Sequence, residues 1–69
     1  MKNFIKVERA RQNMTQAELA EKVKVARQTI IAIEAGRFVP SAMLAFKIAR
    51  VLNCKADEIF EIEENIYEK

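Results

Sequence analysis

Hydrophobic residues recur at helical spacing along almost the whole chain. The first run predicts a helix over about residues 4–12 and consists of Phe4, Ile5, Val7, Ala10 and Met14. Asn13 follows it, and asparagine tolerates the left-handed backbone conformation that often ends a helix. A second helix is predicted to begin after Thr15, because Thr15 and Glu18 have the spacing of a capping box. Its inner stripe is Leu19, Ala20 and Val23.

A third helix is predicted over residues 27–35, after a turn of about four residues. Gly36 is the only glycine and stands where the C-terminus of a helix favours one. Ser41 is expected to cap a fourth helix, which Asn53 ends. The inner stripe of this helix is Leu44, Ala45, Ile48, Ala49 and Leu52.

The pattern changes near the C-terminus. A short fifth helix is predicted over about residues 56–60, and the tail after it has a weak strand pattern. A single strand is not stable alone, so this one pairs with residues 1–4, pairs with another chain, or is not a strand. The sequence therefore predicts an all-α bundle of five short helices over residues 1–60, followed by an acidic tail, residues 61–69, in which a short strand is an open alternative.

Composition limits what can stabilise this chain. Its 69 residues form one small domain, which is marginal without disulfides, a metal or a partner. Cys54 is the only cysteine and there is no histidine, so neither a disulfide nor a classical metal site is expected. Cys54 is interpreted as a buried apolar residue. Catalytic and cofactor-binding residues are not expected either, because a glycine-rich phosphate loop is lacking and the chain is short for a pocket.

The net charge of +2 is the sum of two regions of opposite sign. Residues 1–55 contain eleven basic and four acidic side chains, a net charge of +7. Residues 56–69 contain one basic and six acidic side chains, a net charge of −5. A basic body indicates a polyanionic partner, nucleic acid before membrane. Without a membrane-spanning run or a signal peptide, and with a lone cysteine, the chain is expected in the cytoplasm.

The second and third helices and their tight turn have the pattern of a helix-turn-helix, whose second helix enters the DNA major groove. At about 100° per residue, Ile30 and Ile33 fall on one side of that helix and anchor it in the core. The opposite side carries groups that can contact guanine, adenine and thymine methyls, namely Arg27, Gln28, Ile31 and Ala32. Thr29 lies at the margin of this outward side, where its hydroxyl is better placed to contact a phosphate than a base. Such residues usually form a merely solvated face, but the capping box, the turn and Gly36 all agree with a DNA-reading helix.

The sequence resembles the Cro/cI-type (xenobiotic-response-element) helix-turn-helix regulators over about residues 3–60. Separate motifs keep the family's mutual spacing: Arg9, Thr15-Gln16-Ala17-Glu18-Leu19-Ala20, Arg27-Gln28-Thr29-Ile30, Ile33-Glu34, Pro40-Ser41 and Leu44-Ala45-Phe46-Lys47-Ile48-Ala49. The resemblance implies a bundle of five helices that binds double-stranded DNA at specific sequences, usually to repress transcription.

The resemblance also implies roles for single residues. Base-facing positions of the family are occupied here by Ala26, Arg27, Gln28 and Ala32. Gln16 corresponds to a residue that touches the DNA backbone and sometimes a base, and Arg37 to a phosphate-contacting loop position. Arg9 and Glu34 match a pair that forms a buried salt bridge in relatives.

Three positions depart from the family pattern. Lys24 stands in the turn where the family often has glycine, and a left-handed non-glycine residue there costs roughly 1 kcal/mol. Its positive charge near the DNA backbone is expected to offset that cost during binding. Ala26 cannot cap the third helix, and the missing cap costs about 1 kcal/mol of stability. Lys55 stands where a cap for the fifth helix is expected.

These observations predict a homodimeric transcriptional regulator, a repressor at a palindromic operator, that needs no cofactor or small-molecule ligand. Two-fold symmetry would place two recognition helices about 34 Å apart, in successive major grooves. The predicted dimer interface lies in the tail, through Phe60, Ile62 and Ile66, while Met43 and Phe46 are a second candidate for a subunit contact. The alternative function is a protein-interaction module of the same fold, such as an antitoxin-like partner that binds another protein.

Overall fold

The computed structural model describes residues 2–60, which form five α-helices and no strand. The helices are α1 (Ile5–Arg11), α2 (Gln16–Val23), α3 (Arg27–Glu34), α4 (Ala42–Val51) and α5 (Ala56–Ile59). The prediction of an all-α fold of five short helices is confirmed. The first helix begins one residue later than predicted because Phe4 is its N-cap, with a non-helical backbone (φ −118°, ψ 25°). The Phe4 N–H donates to the carbonyl of Ile59 (2.7 Å).

One apolar core joins the inner faces of the helices. α2 packs against α3 and α4, and α4 packs against α5. The members of this core are Ile5, Leu19, Ala20, Val23, Ile30, Ile33, Ile48, Ala49, Leu52, Ile59 and Phe60. Ile5 is the only residue of α1 in this core. The sequence pattern places Phe4 and Val7 in the apolar stripe of the first helix as well, but each is 48% exposed.

The helix N-termini are capped unequally. The Thr15 hydroxyl accepts from the Glu18 N–H (3.0 Å), and the Glu18 carboxylate accepts from the Thr15 N–H (2.8 Å), which completes the predicted capping box. Hydrogen bonding to the Glu18 carboxylate, first from the Thr15 backbone N–H and then from the Thr15 side chain, lowers the pKa of Glu18. Ser41 caps α4 through the Leu44 N–H (3.2 Å), whereas Ala26 gives α3 no side-chain cap.

The first four helices end in the same way. Each is followed by a residue with a left-handed backbone, in turn Asn13, Lys24, Gly36 and Asn53, with φ of 55°, 65°, 79° and 59°. In each case the next N–H bonds to the carbonyl five residues earlier at 2.9–3.0 Å, as in a Schellman motif. Three of the four left-handed residues are therefore not glycine, and Lys24 is the only one with a long side chain.

The N-terminal segment and Phe60 close the fold. An antiparallel bridge joins Asn3 to Phe60, the last described residue, and the predicted alternatives for the tail after it lie outside the described residues. Phe60 is only 6% exposed and belongs to the core of its own chain. The side chain therefore has little exposed surface in the single chain, and the prediction of Phe60 as an interface residue stays a prediction. Ile62 and Ile66 lie outside the described residues.

Candidate nucleic-acid interface

α3 is held firmly on one side. Ile30 and Ile33 are fully buried, on the side of the helix that the sequence assigns to the core. At the C-terminal end, the Asn3 amide donates to the carbonyl of Ile33 (2.8 Å). The helix therefore has a fixed orientation, which a reading helix needs if its outer side chains are to meet base edges in register.

A polar network joins α3 to α1 and α2. Arg9 Nε donates to Glu34 Oε2 (2.6 Å), and a second guanidinium nitrogen donates to Oε1 (3.1 Å). The side chains of Arg9 and Glu34 are 12% and 8% exposed. Arg9 also donates to the carbonyl of Met14 (2.9 Å), at the loop that leads into α2. The ion pair thus connects α1 to α3, with the loop before α2 held by Arg9 as well, and it turns the charge of Glu34 inward.

Gln16 is part of the same network. Its Nε2 donates to Glu34 Oε1 (3.0 Å), so the amide is oriented by the ion pair. An amide nitrogen has two N–H groups, and this contact uses one of them. Gln16 is half-buried at the first position of α2, and its orientation therefore depends on Glu34.

The outer face of α3 is polar at its N-terminal end. Arg27 and Gln28 are exposed in the first turn, next to exposed Ala26. The half-buried residues of the helix are Thr29, Ile31, Ala32 and Glu34. The face thus presents a guanidinium and an amide beside short apolar groups, a set that can make bidentate contacts to purines and contacts to thymine methyls.

Two basic residues flank this helix. Lys24 is exposed in the turn before α3, with φ 65° and ψ 46°, and Arg37 is exposed just after Gly36. Across residues 2–60, no hydrogen bond or ion pair engages the side chains of Lys24, Arg27, Gln28 or Arg37. α3 thus carries an exposed cation before its start, in its first turn and beyond its end.

Supporting contacts were not foreseen from the sequence. Asn3 holds the end of α3, and its Oδ1 also accepts from the Ile5 N–H (3.2 Å). Gln12 Nε2 donates to the carbonyl of Leu52 (2.7 Å), which ties the end of α1 to the end of α4. An asparagine just before a helix is a familiar capping signal, so Asn3 could have been found as the start of α1. Its second partner, 30 residues away, gives no local signal.

Cys54 is half-buried beside the end of α4. Its Sγ donates to the carbonyl of Leu52 (3.3 Å). Desolvation raises the pKa of the Cys54 thiol, and the nearby carboxylate of Glu8 raises it further. Little thiolate is therefore present at neutral pH, which makes this cysteine a poor nucleophile.

None of the helices in residues 2–60 has the length and apolar character needed to cross a membrane. The same part of the chain contains no cluster of three or more His, Cys, Asp or Glu side chains that could hold a metal ion.

A sequence model of the helix-turn-helix family, of the Cro/cI type, matches residues 5–59, which include all five helices. The chain belongs to the Cro/cI-type helix-turn-helix family. Members of this family are DNA-binding transcriptional regulators and not enzymes, and this chain is such a regulator.

Similar proteins carry the same description. An HTH-type transcriptional regulator of Methanocaldococcus jannaschii is 52% identical over 65 residues, which cover 94% of this chain and 98% of the relative. A regulator from Archaeoglobus fulgidus is 51% identical over 70 residues, which cover 100% of this chain and 99% of the relative. The regulator YgzD of Bacillus subtilis is 47% identical over 64 residues, which cover 93% of this chain and 97% of YgzD.

Solved structures share the fold. The SinR protein/SinI protein complex contains a chain that matches with a TM-score of 0.75 and 24% identity, over 93% of this chain and 68% of that one. A hypothetical transcription factor, NHTF from Neisseria, matches with a TM-score of 0.74 and 21% identity, over 94% of this chain and 76% of that one. These likenesses support the five-helix architecture.

Proposed function

We propose that this regulator is a cytoplasmic repressor that binds a palindromic operator as a homodimer and reads its bases with the outer face of α3. The observation that carries the proposal is the contrast across this helix. Arg27 and Gln28 are exposed and lack a side-chain partner among the described residues, while Ile30 and Ile33 are fully buried. A rigid helix with two long polar side chains in its first turn is suited to direct readout in the major groove.

Base contacts are assigned to the start of α3. In this proposal Arg27 donates two hydrogen bonds to a guanine, and Gln28 pairs with an adenine. Ala26, Ile31 and Ala32 supply apolar contacts for thymine methyls. Each good bidentate pair is worth about 1–3 kcal/mol of discrimination against a wrong base.

Phosphate contacts are assigned to the residues around that helix. Lys24 and Arg37 are exposed cations beyond its two ends, and Thr29 offers a hydroxyl at its margin. Gln16 is oriented by Glu34 and has a second N–H that can donate to a phosphate oxygen. These contacts position the protein on the duplex and carry no sequence information.

Selection from a pool of random duplexes tests the proposal directly. We expect an enriched palindrome whose half-sites are about ten base pairs apart, with an affinity that falls steeply as salt rises. A pool that shows no enriched sequence after repeated rounds would exclude specific readout by this face.

Single substitutions then separate base readers from phosphate contacts. Arg27→Ala and Gln28→Ala should change the selected motif, each at one position of the half-site, whereas Arg37→Ala should weaken all sites alike. Arg50→Ala is the matched control, because Arg50 is exposed on α4 and should not affect binding to a single half-site. An unchanged motif and affinity for Arg27→Ala would contradict the assigned face.

The alternative function, a protein-interaction module of the same fold, has one observation in its favour. Val39, Met43 and Phe46 are large apolar side chains left exposed near α4. The name of one structural neighbour, the SinR protein/SinI protein complex, describes an assembly of two proteins. Failure of the duplex selection, together with capture of a different protein through Phe46, would favour this alternative over specific DNA reading.

A further inference from the structure

Three exposed cations around α3 have no ion-pair partner in residues 2–60. They are Lys24 before the helix, Arg27 in its first turn and Arg37 beyond its end. The carboxylate of α3 itself, on Glu34, is 8% exposed and is paired with Arg9. The helix therefore offers its positive charge to any anionic group that can reach it, whether on DNA or on this chain.

The tail has the opposite charge. Residues 61–69 contain four glutamates and one lysine, a net charge of −3. The glutamates are Glu61, Glu63, Glu64 and Glu68. The carboxylates of the tail thus outnumber the three cations around α3, and the two sets are complementary in sign.

The tail begins close to the end of α3. Asn3 forms the antiparallel bridge to Phe60, and its side-chain amide donates to the carbonyl of Ile33 (2.8 Å). Phe60, from which the tail continues, and the last turn of α3 therefore contact the same residue. A segment tethered this closely has an effective concentration on the order of mM at the helix.

The tail is also long enough to reach all three cations. Nine residues extend to at most about 30 Å. At a rise of about 1.5 Å per residue, Arg27 lies only about 9 Å along the helix axis from Ile33. Lys24 is three residues further, and Arg37 lies just beyond the near end of α3. Chain length therefore does not prevent the glutamates from pairing with these cations.

We propose that the tail is an intramolecular competitor of DNA. In the free protein its glutamates pair with Lys24, Arg27 and Arg37, and the phosphates and bases of a bound duplex displace them. Every duplex needs the same cations, so the tail lowers the affinity for all sequences by one factor and leaves the sequence preference unchanged. The inference rests on the proposed assignment of the outer face of α3 to DNA.

Neutralising part of the tail tests the competition in the full chain. At about 50 mM salt, Glu63→Gln/Glu64→Gln should bind both the selected operator and a random duplex about fivefold more tightly than wild type, because two exposed ion pairs of the free protein are lost. The gain should disappear at about 0.5 M salt, where such pairs are screened. An unchanged affinity at low salt would overturn the proposal.

A matched control separates the tail from the net charge of the chain. Asp57→Asn/Glu58→Gln also removes two adjacent exposed carboxylates, and it gives the same net charge of +4, two above the wild-type +2. Glutamine at position 58 keeps the capping-box pattern of α5. This variant should bind both duplexes as wild type does, and a gain equal to that of the tail variant would contradict a specific role for the tail.

A spin label on the tail tests the contact without DNA. In a Cys54→Ser/Tyr67→Cys chain whose helix content equals that of wild type, the label should broaden the amide signals of Lys24, Arg27 and Arg37. An excess of the selected operator should abolish the broadening. A tail that pairs with residues 1–4 or with another copy would leave these signals sharp with and without DNA, and sharp signals in the free protein would overturn the proposal.

The two proposals fail in different ways. If Arg27→Ala changes the selected motif but Glu63→Gln/Glu64→Gln gains no affinity, the reading face stands and the competition is overturned. If the duplex selection enriches no sequence, the proposed function fails. The tail is then still tested by the spin label and by the affinity for a random duplex, since neither depends on base readout.

Discussion

α3 and α4 bury similar residues and expose different ones. Each helix sets isoleucine into the common core, through Ile30 and Ile33 in α3 and Ile48 in α4. The outer side of α3 carries Arg27 and Gln28, whereas the outer side of α4 carries Met43 and Phe46. The inner faces therefore explain the fold, and the outer faces differ in chemistry, polar on α3 and apolar on α4.

The two helices also differ in how they are held. α4 begins with a serine cap and packs against α2 and α5. α3 has no side-chain cap at its start and is held by polar contacts near its end, from Arg9 and Gln16 to Glu34 and from Asn3 to Ile33. The start of α3 thus lacks a side-chain cap, while the orientation of the helix is fixed by contacts near its end.

The largest effect is expected from Glu34→Ala. This change leaves Arg9 buried without its partner, and breaking a buried ion pair costs about 3–5 kcal/mol of unfolding free energy. Most of the stability of so small a domain would be lost, as urea denaturation followed by circular dichroism can measure. Arg50→Ala, on the exposed side of α4, should change stability by less than about 0.5 kcal/mol. Equal losses in the two variants would show that the polar network does not hold α3.

A smaller effect separates the two outer faces. On a duplex with one half-site, Arg27→Ala should cost about 1–3 kcal/mol of binding free energy, and Phe46→Ala should cost nothing. On the complete palindrome both variants should bind more weakly than wild type. Titrations of the two duplexes at one salt concentration provide the measurement, and a loss of half-site binding in Phe46→Ala would place both faces against the DNA.

Lys24→Gly should act in opposite directions on stability and binding. Removing the side chain from a left-handed residue relieves about 1 kcal/mol of strain, so the free energy of unfolding should rise. Loss of one phosphate contact should weaken binding to all sequences and reduce the salt slope by about 1. Asn53→Gly is the control, since it relieves a similar backbone conformation, φ 59°, at the end of α4 and should not affect binding. Unchanged DNA affinity in Lys24→Gly would remove Lys24 from the interface.

The smallest effect concerns pH and the cap of α2. The pKa of Glu18 is lowered in the folded chain, first by the hydrogen bond from the Thr15 backbone. The carboxylate therefore contributes stability above the pKa of the unfolded state, and this contribution is lost as pH falls through the folded-state pKa. Wild type should melt above Glu18→Gln at about pH 6, and the difference should vanish near about pH 3. A constant difference between these two pH values would argue against the ionised capping box.

Local signals account for most of the fold. The Thr15–Glu18 box, Ser41, Gly36 and the two asparagines fixed the ends of helices because each acts on the backbone within a few residues. The apolar period of α3 also separated its buried side from its outer side. Contacts across the chain had no such signal. Thus the bond from Gln16 to Glu34 and the burial of Phe60 could not be predicted, because both depend on how segments that are distant in sequence pack together.

The closure of the fold near Asn3 has a consequence for protein synthesis. The first described residues bond to Ile33 in the middle of the chain and to Ile59 and Phe60 at the end of the described bundle. During translation at about 5–20 residues per second, the contacts with Ile59 and Phe60 cannot form until α5 has left the ribosome. A nascent chain arrested before residue 56 would therefore hold the helix-turn-helix pair and the ion pair from Arg9 to Glu34, but not the bonds that join residues 3 and 4 to the end of the bundle.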